Sequence, residues 1–275
     1  MRTLRALWGA SHPGPTLVVT ALSTALGLAA GLEAWRVLVL AASVLFGQLS
    51  IGISNDAIDR ERDRAVGRTD KPLVRAEVST RTAWSAAIGC AVAAIAVSAV
   101  LGWGMLIVHA VTIVSAWSYN LGLKATAVSI VPFLVSFGLF PSLATLSAPE
   151  PAFAAPFAAV AGAALGAAVH LTNVLPDLDD DRRTGVRGLP HRLGATASVT
   201  VAVAGIVVAA LAVVLGGRGS GALPWAFFGA VLVLAVAVIV RMRLRGPDRT
   251  GFRIVMAAAL LLAVQLVVTS AGLAA

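Results

Sequence analysis

Nine long apolar runs, separated by short polar stretches, restrict what this chain can become more than any other feature. They cover roughly 15–32, 37–54, 83–101, 103–120, 127–146, 155–176, 195–215, 223–240 and 253–274. Crossing about 30 Å of hydrocarbon as a helix takes ~20 residues, and a backbone in lipid has to satisfy its hydrogen bonds internally. Each run therefore reads as a transmembrane helix, and the abundance of alanine and glycine suits close helix packing. Only 12% of residues are charged and 59% are hydrophobic, about half the charge of an ordinary soluble domain. Residues 1–275 read as a single all-α membrane domain. Arg2 and Arg5 precede the first run as in a signal peptide, but no small-x-small site with a polar region after it follows, so that run reads as a span. The lone Cys90 lies inside an apolar run, which leaves neither a disulfide framework nor a cysteine metal site.

Loop charges orient the spans. With the N-terminus in the cytoplasm, 19 of the 21 Lys and Arg fall on the cytoplasmic side, and only Arg36 and Arg218 fall on the other. Adding or removing one span scrambles this asymmetry, which is the kind the positive-inside rule describes. The net charge of +8 is spread between apolar runs. It points to anionic lipid or an anionic substrate at the membrane surface, not to nucleic acid. The Ala-, Val-, Leu-, Gly- and Arg-rich composition suggests a bacterial cell membrane.

Eleven of the 13 acids also lie on the cytoplasmic side, most of them in two clusters. Asn55, Asp56, Asp59 and Asp63 follow the second run, and Asn173, Asp177 and Asp181 follow the sixth. Both clusters contain N-x-x-x-D-x-x-x-D, offset by 118 residues, which suggests an internally duplicated helical bundle. A spacing of four stacks three side chains on one helix face, one turn apart. Like charges stacked there repel, and a divalent cation removes the penalty. Magnesium favours carboxylate oxygen and is usually held by one or two carboxylates plus substrate phosphates. Two facing stripes are therefore suited to gripping magnesium ions around a diphosphate. No His/Cys grouping favours zinc. Acids at helix ends can also simply neutralise nearby arginines, which is the reading given to Glu61, Asp179 and Asp180.

The ordered pair of motifs resembles the two signatures of the UbiA superfamily of intramembrane prenyltransferases. N-D-x-x-D-x-x-x-D at Asn55 to Asp63 is similar to the first. D-x-x-x-D followed by R-x-x-G-x-x-x-L-P, ending at Pro190, is similar to the second. The segment from Arg68 to Leu73 resembles the family's R-x-x-R-P-L, with Lys71 in place of the usual arginine, and Tyr119 to Lys124 resembles its Tyr…Lys element. The resemblance implies nine helices around a central cavity capped by cytoplasmic loops. It implies magnesium held by Asn55, Asp56, Asp59, Asp63, Asp177 and Asp181. It implies an isoprenyl diphosphate contacted by Asn55, Arg68, Lys71, Lys124, Asn173 and Arg187, with Asp59, Asp177 and Lys124 as the catalytic group. The partner would be a lipophilic or aromatic acceptor. Physically, breaking an allylic C–O bond leaves pyrophosphate and a carbocation. Fixed positive charge stabilises the former, and exclusion of water protects the latter.

Individual residues have plainer readings beside these. His109 and His170 lie within apolar runs, where a helix–helix hydrogen bond is the default; His170, three residues before Asn173, is the better site candidate. His12 and His191 read as interfacial, and Gln48 as either cavity-lining or bonded to a neighbouring helix. The six tryptophans fall near run ends, as an aromatic belt does. The basic run Arg241-Met242-Arg243-Leu244-Arg245 reads as a topology determinant contacting lipid head groups. Alternatives to prenyl transfer are a membrane terpene cyclase, a polyprenyl-phosphate phosphoribosyltransferase and a transporter. A transporter usually places its ionisable groups near the midplane, unlike these clusters.

Overall fold

Proline marks the first turn of several helices, where its missing N–H costs nothing. Pro13 begins one such helix, and Pro132, Pro156 and Pro190 sit at the starts of others. A computed structural model describes residues 2–246, 248–269 and 272–274. These form α1 (Arg2–Ala10), α2 (Pro13–Ala29), α3 (Ala34–Ala65), α4 (Thr80–Ala99), α5 (Trp103–Leu121), α6 (Val131–Thr145), α7 (Pro156–Val174), α8 (Leu178–Arg183), α9 (Leu189–Gly216), α10 (Ala222–Arg245) and α11 (Arg249–Val268). Among the described residues, strand-type pairing is limited to an isolated bridge between Ala154 and Ala274.

Seven helical segments are long and apolar enough to cross a membrane: α3, α4, α5, the run of α7 with α8, α9, α10 and α11. Two further apolar helices, α2 and α6, are shorter, at 17 and 15 residues. Residues 127–130, expected to open the fifth span, form turns instead, and α6 begins at the proline-initiated turn that follows. Ser270 and Ala271, within the last expected span, lie outside the described residues. The amphipathic α1 was not among the expected elements.

From α2 to α7 each helix packs on the next, α7 packs on α9, α9 on α10 and α10 on α11, and α11 returns to α2, so these helices close into a ring. The two motif-bearing helices are well supported within it. α3 packs on α2, α4 and α5, and α7 packs on α6, α9 and α11. The main apolar core runs through this ring from Val19 and Leu40 to Ile206 and Leu262. Close approach of α6 and α7 depends on glycine. A Cβ on Gly162 would sit 2.1 Å from the Phe137 carbonyl oxygen, and one on Gly166 would sit 2.6 Å from that of Phe133.

The two aspartate clusters differ in backbone. Asn55, Asp59 and Asp63 continue one unbroken 32-residue helix, which runs 11 residues past the expected end of its span. The second cluster does not form the continuous face that its spacing suggested. After α7 the chain tightens into a 3-10 turn, Leu175–Asp177, before α8. Pro176 lacks the N–H that an α-helix would use there. The seventh expected span begins at 195, one residue after Gly194 interrupts α9 with a φ of +79°.

Candidate diphosphate and metal site

Two adjoining cavities share part of their walls. The outer, of about 660 Å³, is lined by Asn55, Asp59, Asp63, Arg68, Lys71 and Lys124 from one half of the chain. Asn173, Asp177 and Asp181 line it from the other half. The inner, of about 240 Å³, is mainly apolar and aromatic, with Phe133, Phe137 and Phe140 from α6. His12, Asn55, Tyr119 and Asn173 border both.

Each wall is organised by ion pairs. Asp59 accepts from the Lys124 ammonium and from Arg62 at 2.8 Å, and Asn55 donates to it at 3.3 Å. Asn55 is fixed in turn by Asn120, whose amide donates to the Ile51 carbonyl and to Ser54. Arg68 donates two bonds to Asp70, at 3.0 and 3.2 Å, and its remaining nitrogen lies 3.6 Å from Asp177. That fork holds Asp70 down at about 2 and raises Arg68 above the ordinary arginine range. Burial pushes the Lys124 ammonium below the ordinary lysine range, although Asp59 beside it opposes the shift.

Two expected site residues are not brought to the cavity wall. Asp56, 1% exposed, faces the α1–α2 junction, where His12 donates to it at 2.9 Å and Lys71 donates as well. Gly52 makes room for that junction, since a Cβ there would lie 2.3 Å from the Ser11 carbonyl oxygen. His12 sits at a φ of +55°, a region seldom used by residues other than glycine. Arg187 lies exposed on the loop after α8, and neither cavity includes it. The resemblance ranked Asp56 with the metal ligands, and seven residues bring it onto nearly the same helix face as Asp63, but His12 and Lys71 cover its carboxylate.

Arg62 had no sequence signal beyond its charge. It touches both clusters, lying 3.7 Å from Asp181 as well as on Asp59. His191, expected at the interface, is buried 3.4 Å from Asp181. Tyr119 packs edge-on against Phe133 and His170, at 5.1 and 5.6 Å between ring centres. His109 meets Ser98 at 2.7 Å, the expected interhelix bond, whereas His170 meets the hydroxyl of Ser129 at 3.0 Å, in the turn before α6. Trp117 donates to Ser50 and packs against Trp84, and so serves the interior and not a belt.

The donors on the wall are oxygens of carboxylate and amide groups, which suit a hard cation. Among the described residues no three acidic, histidine or cysteine side chains converge tightly enough to cage a metal alone. Asp63, 6% exposed, faces the cavity and accepts no side-chain hydrogen bond from a described residue. Such a wall fits an ion held partly by one or two carboxylates and partly by a bound phosphate.

The fold and sequence have clear relatives. A digeranylgeranylglyceryl phosphate synthase from Natronomonas pharaonis is 29% identical over 160 residues, a match that spans 57% of each chain. The apo structure of a UbiA homologue from Aeropyrum pernix K1 superposes with a TM-score of 0.77 at 18% identity, covering 93% of this chain and 98% of that one. A UbiA homologue from Archaeoglobus fulgidus, bound to DMAPP and Mg2+, superposes with a TM-score of 0.73 at 16% identity, covering 96% and 99%. At those identities the structures speak for the fold alone. The model of the UbiA prenyltransferase family matches residues 16–263, and the chain belongs to that family.

Proposed function

We infer that this protein is a magnesium-dependent intramembrane prenyltransferase that ionises an allylic isoprenyl diphosphate and joins the prenyl group to a lipophilic or aromatic acceptor. One observation carries the reading: a single cavity gathers Asp59 and Asp63 with Asp177 and Asp181, ringed by Arg68, Lys71 and Lys124, and shares a wall with an apolar chamber. That combination matches an anionic head with a hydrocarbon tail. Nine helices crossing the bilayer, with the N-terminus and both clusters cytoplasmic, suit the 19-to-2 split of Lys and Arg.

Asn55, Asp59, Asp63, Asp177 and Asp181 would hold magnesium, with Asn173 beside them. When bound, it supplies positive charge to the departing pyrophosphate. Arg68, Lys71 and Lys124 direct fixed charge at the same oxygens, where negative charge grows as the C–O bond breaks. The electron pair leaves with pyrophosphate, the acceptor supplies the pair for the new bond, and the proton it displaces passes to pyrophosphate or water. Tyr119 borders both cavities and packs edge-on against Phe133 of the inner one, and aromatic rings so placed stabilise a passing cation. The apolar inner wall keeps water from capturing it.

The test uses purified protein in nanodiscs with magnesium and allylic diphosphates of several lengths, with and without acceptors. Pyrophosphate release coupled to a prenylated acceptor is expected. Asp59→Ala and Asp177→Ala should abolish it in protein that still inserts. A cyclic hydrocarbon formed without acceptor would identify a terpene cyclase instead, and near-normal turnover in either variant would refute the site.

A further inference from the structure

Six basic side chains line the outer cavity: Arg62, Arg68, Lys71, Lys124, Arg249 and Arg253. The first four each touch an aspartate. Arg249 and Arg253 pair with no carboxylate among the described residues, and both are exposed at the cavity mouth. They sit four residues apart on α11, where like charges repel and a helix gains nothing by stacking them. An anion between them reverses that penalty.

The same face of α11 continues with Phe252 and Met256, which line both cavities, and then with Leu260. This wall is thus cationic at the mouth and apolar below. Arg68 and Lys124, by contrast, are engaged by the wall aspartates Asp177 and Asp59, and Lys71 by the covered Asp56.

We propose that Arg249 and Arg253 bind the anionic head, a phosphate or a carboxylate, of an amphiphilic acceptor whose apolar body lies along Phe252 and Met256. The assignment rests on the prenyl-transfer reading above. Two sources offer this chemistry: an acceptor in the cavity and an ordinary anionic membrane lipid.

Binding is measured apart from turnover, in phosphatidylcholine nanodiscs with and without phosphatidylglycerol. The probes are a hexadecyl glycerol ether phosphate against the uncharged hexadecyl glycerol ether, and para-hydroxybenzoate against its methyl ester. The wild-type protein should bind at least one anionic probe about tenfold or more tighter than its neutral partner, the worth of one or two charge-assisted hydrogen bonds. Arg249→Ala with Arg253→Ala should erase that preference, Lys at both positions should restore part of it, and Arg243→Ala with Arg245→Ala should leave it intact. In turnover, the rise should appear in the KM of the acceptor, with that of the donor moving less than about twofold. Equal binding of charged and neutral probes overturns the proposal. So does a donor KM that rises in step with the acceptor KM, or a preference that phosphatidylglycerol abolishes at bilayer concentration. Binding that follows this pattern without any pyrophosphate release would strike the prenyl-transfer reading and leave the anion site standing.

Discussion

Arg62 and Asp181 meet at 3.7 Å across the outer cavity, while the same guanidinium bonds Asp59 at 2.8 Å on its own helix. One cation thus joins the two aspartate clusters, from a position that bound metal would share. Replacing it with Arg62→Gln should loosen the metal-free protein by about 1 kcal/mol, the scale of partly exposed pairs. It should also enlarge the gain in melting temperature on adding magnesium, because the acids then lack an internal counter-ion. Thermal unfolding in detergent, with EDTA or with magnesium, checks this. An unchanged magnesium response would mean that Arg62 and the metal act independently.

Asp56 presents a different prospect from its neighbours on α3. Its carboxylate is held by His12 and Lys71 away from the cavity. Asp56→Asn leaves the Lys71 charge half-buried without its partner, and should cost about 3 kcal/mol of stability. The protein that still folds should keep the wild-type magnesium requirement, whereas Asp63→Asn should raise it. Titrating activity against magnesium for both variants separates a structural carboxylate from a ligand.

Asp70 aims Arg68 through a two-bond fork. Asp70→Asn should weaken the fork and raise the KM for donor diphosphate several-fold, with a smaller change in kcat. Because the folded carboxyl titrates at about 2, below its ordinary value near 3.9, its contribution is complete above about pH 4. It is lost only as the pH falls towards 2. The ratio of wild-type to variant KM should therefore stay flat from pH 5 to 9, and a slope across that range would show that another group orients Arg68.

Gln48 lines the inner chamber two helical turns, about 10 Å, below Asn55. An amide facing a hydrocarbon tail there loses its hydrogen bonds to water, at a penalty of about 1–3 kcal/mol. Donors long enough to pass it should be used less well than short ones. Gln48→Leu should raise kcat/KM about tenfold for the longest donors, with little change for the shortest. Equal gains at every length would place the tail elsewhere.

Much of this was legible because membrane physics writes plainly. Apolar runs located the helices, and spacing of four located Asn55, Asp59 and Asp63, since a helix converts that period directly into a stripe. Pairings across long separations were not legible. Nothing local shows that His12 reaches Asp56, 44 residues away, or that Asn120 anchors Asn55. Asp56 and Arg187 illustrate the same limit: motif membership ranked them with the site, while the cover of His12 and Lys71 over Asp56 and the exposed loop position of Arg187 set them off the wall. α6 fell short of its expected span because an apolar turn, 127–130, reads like helix by hydropathy alone.

The interruption at Pro176 makes the site mechanically lopsided. Asp59 and Asp63 ride on a long helix braced on three sides, a fixed jaw. Asp177 and Asp181 ride on a 3-10 turn and a six-residue helix, a short arm hinged at proline. A vice of that build can open by moving one side only. Releasing pyrophosphate would then require a swing of the short arm while the membrane-embedded chamber, with the prenylated acceptor in it, stays closed.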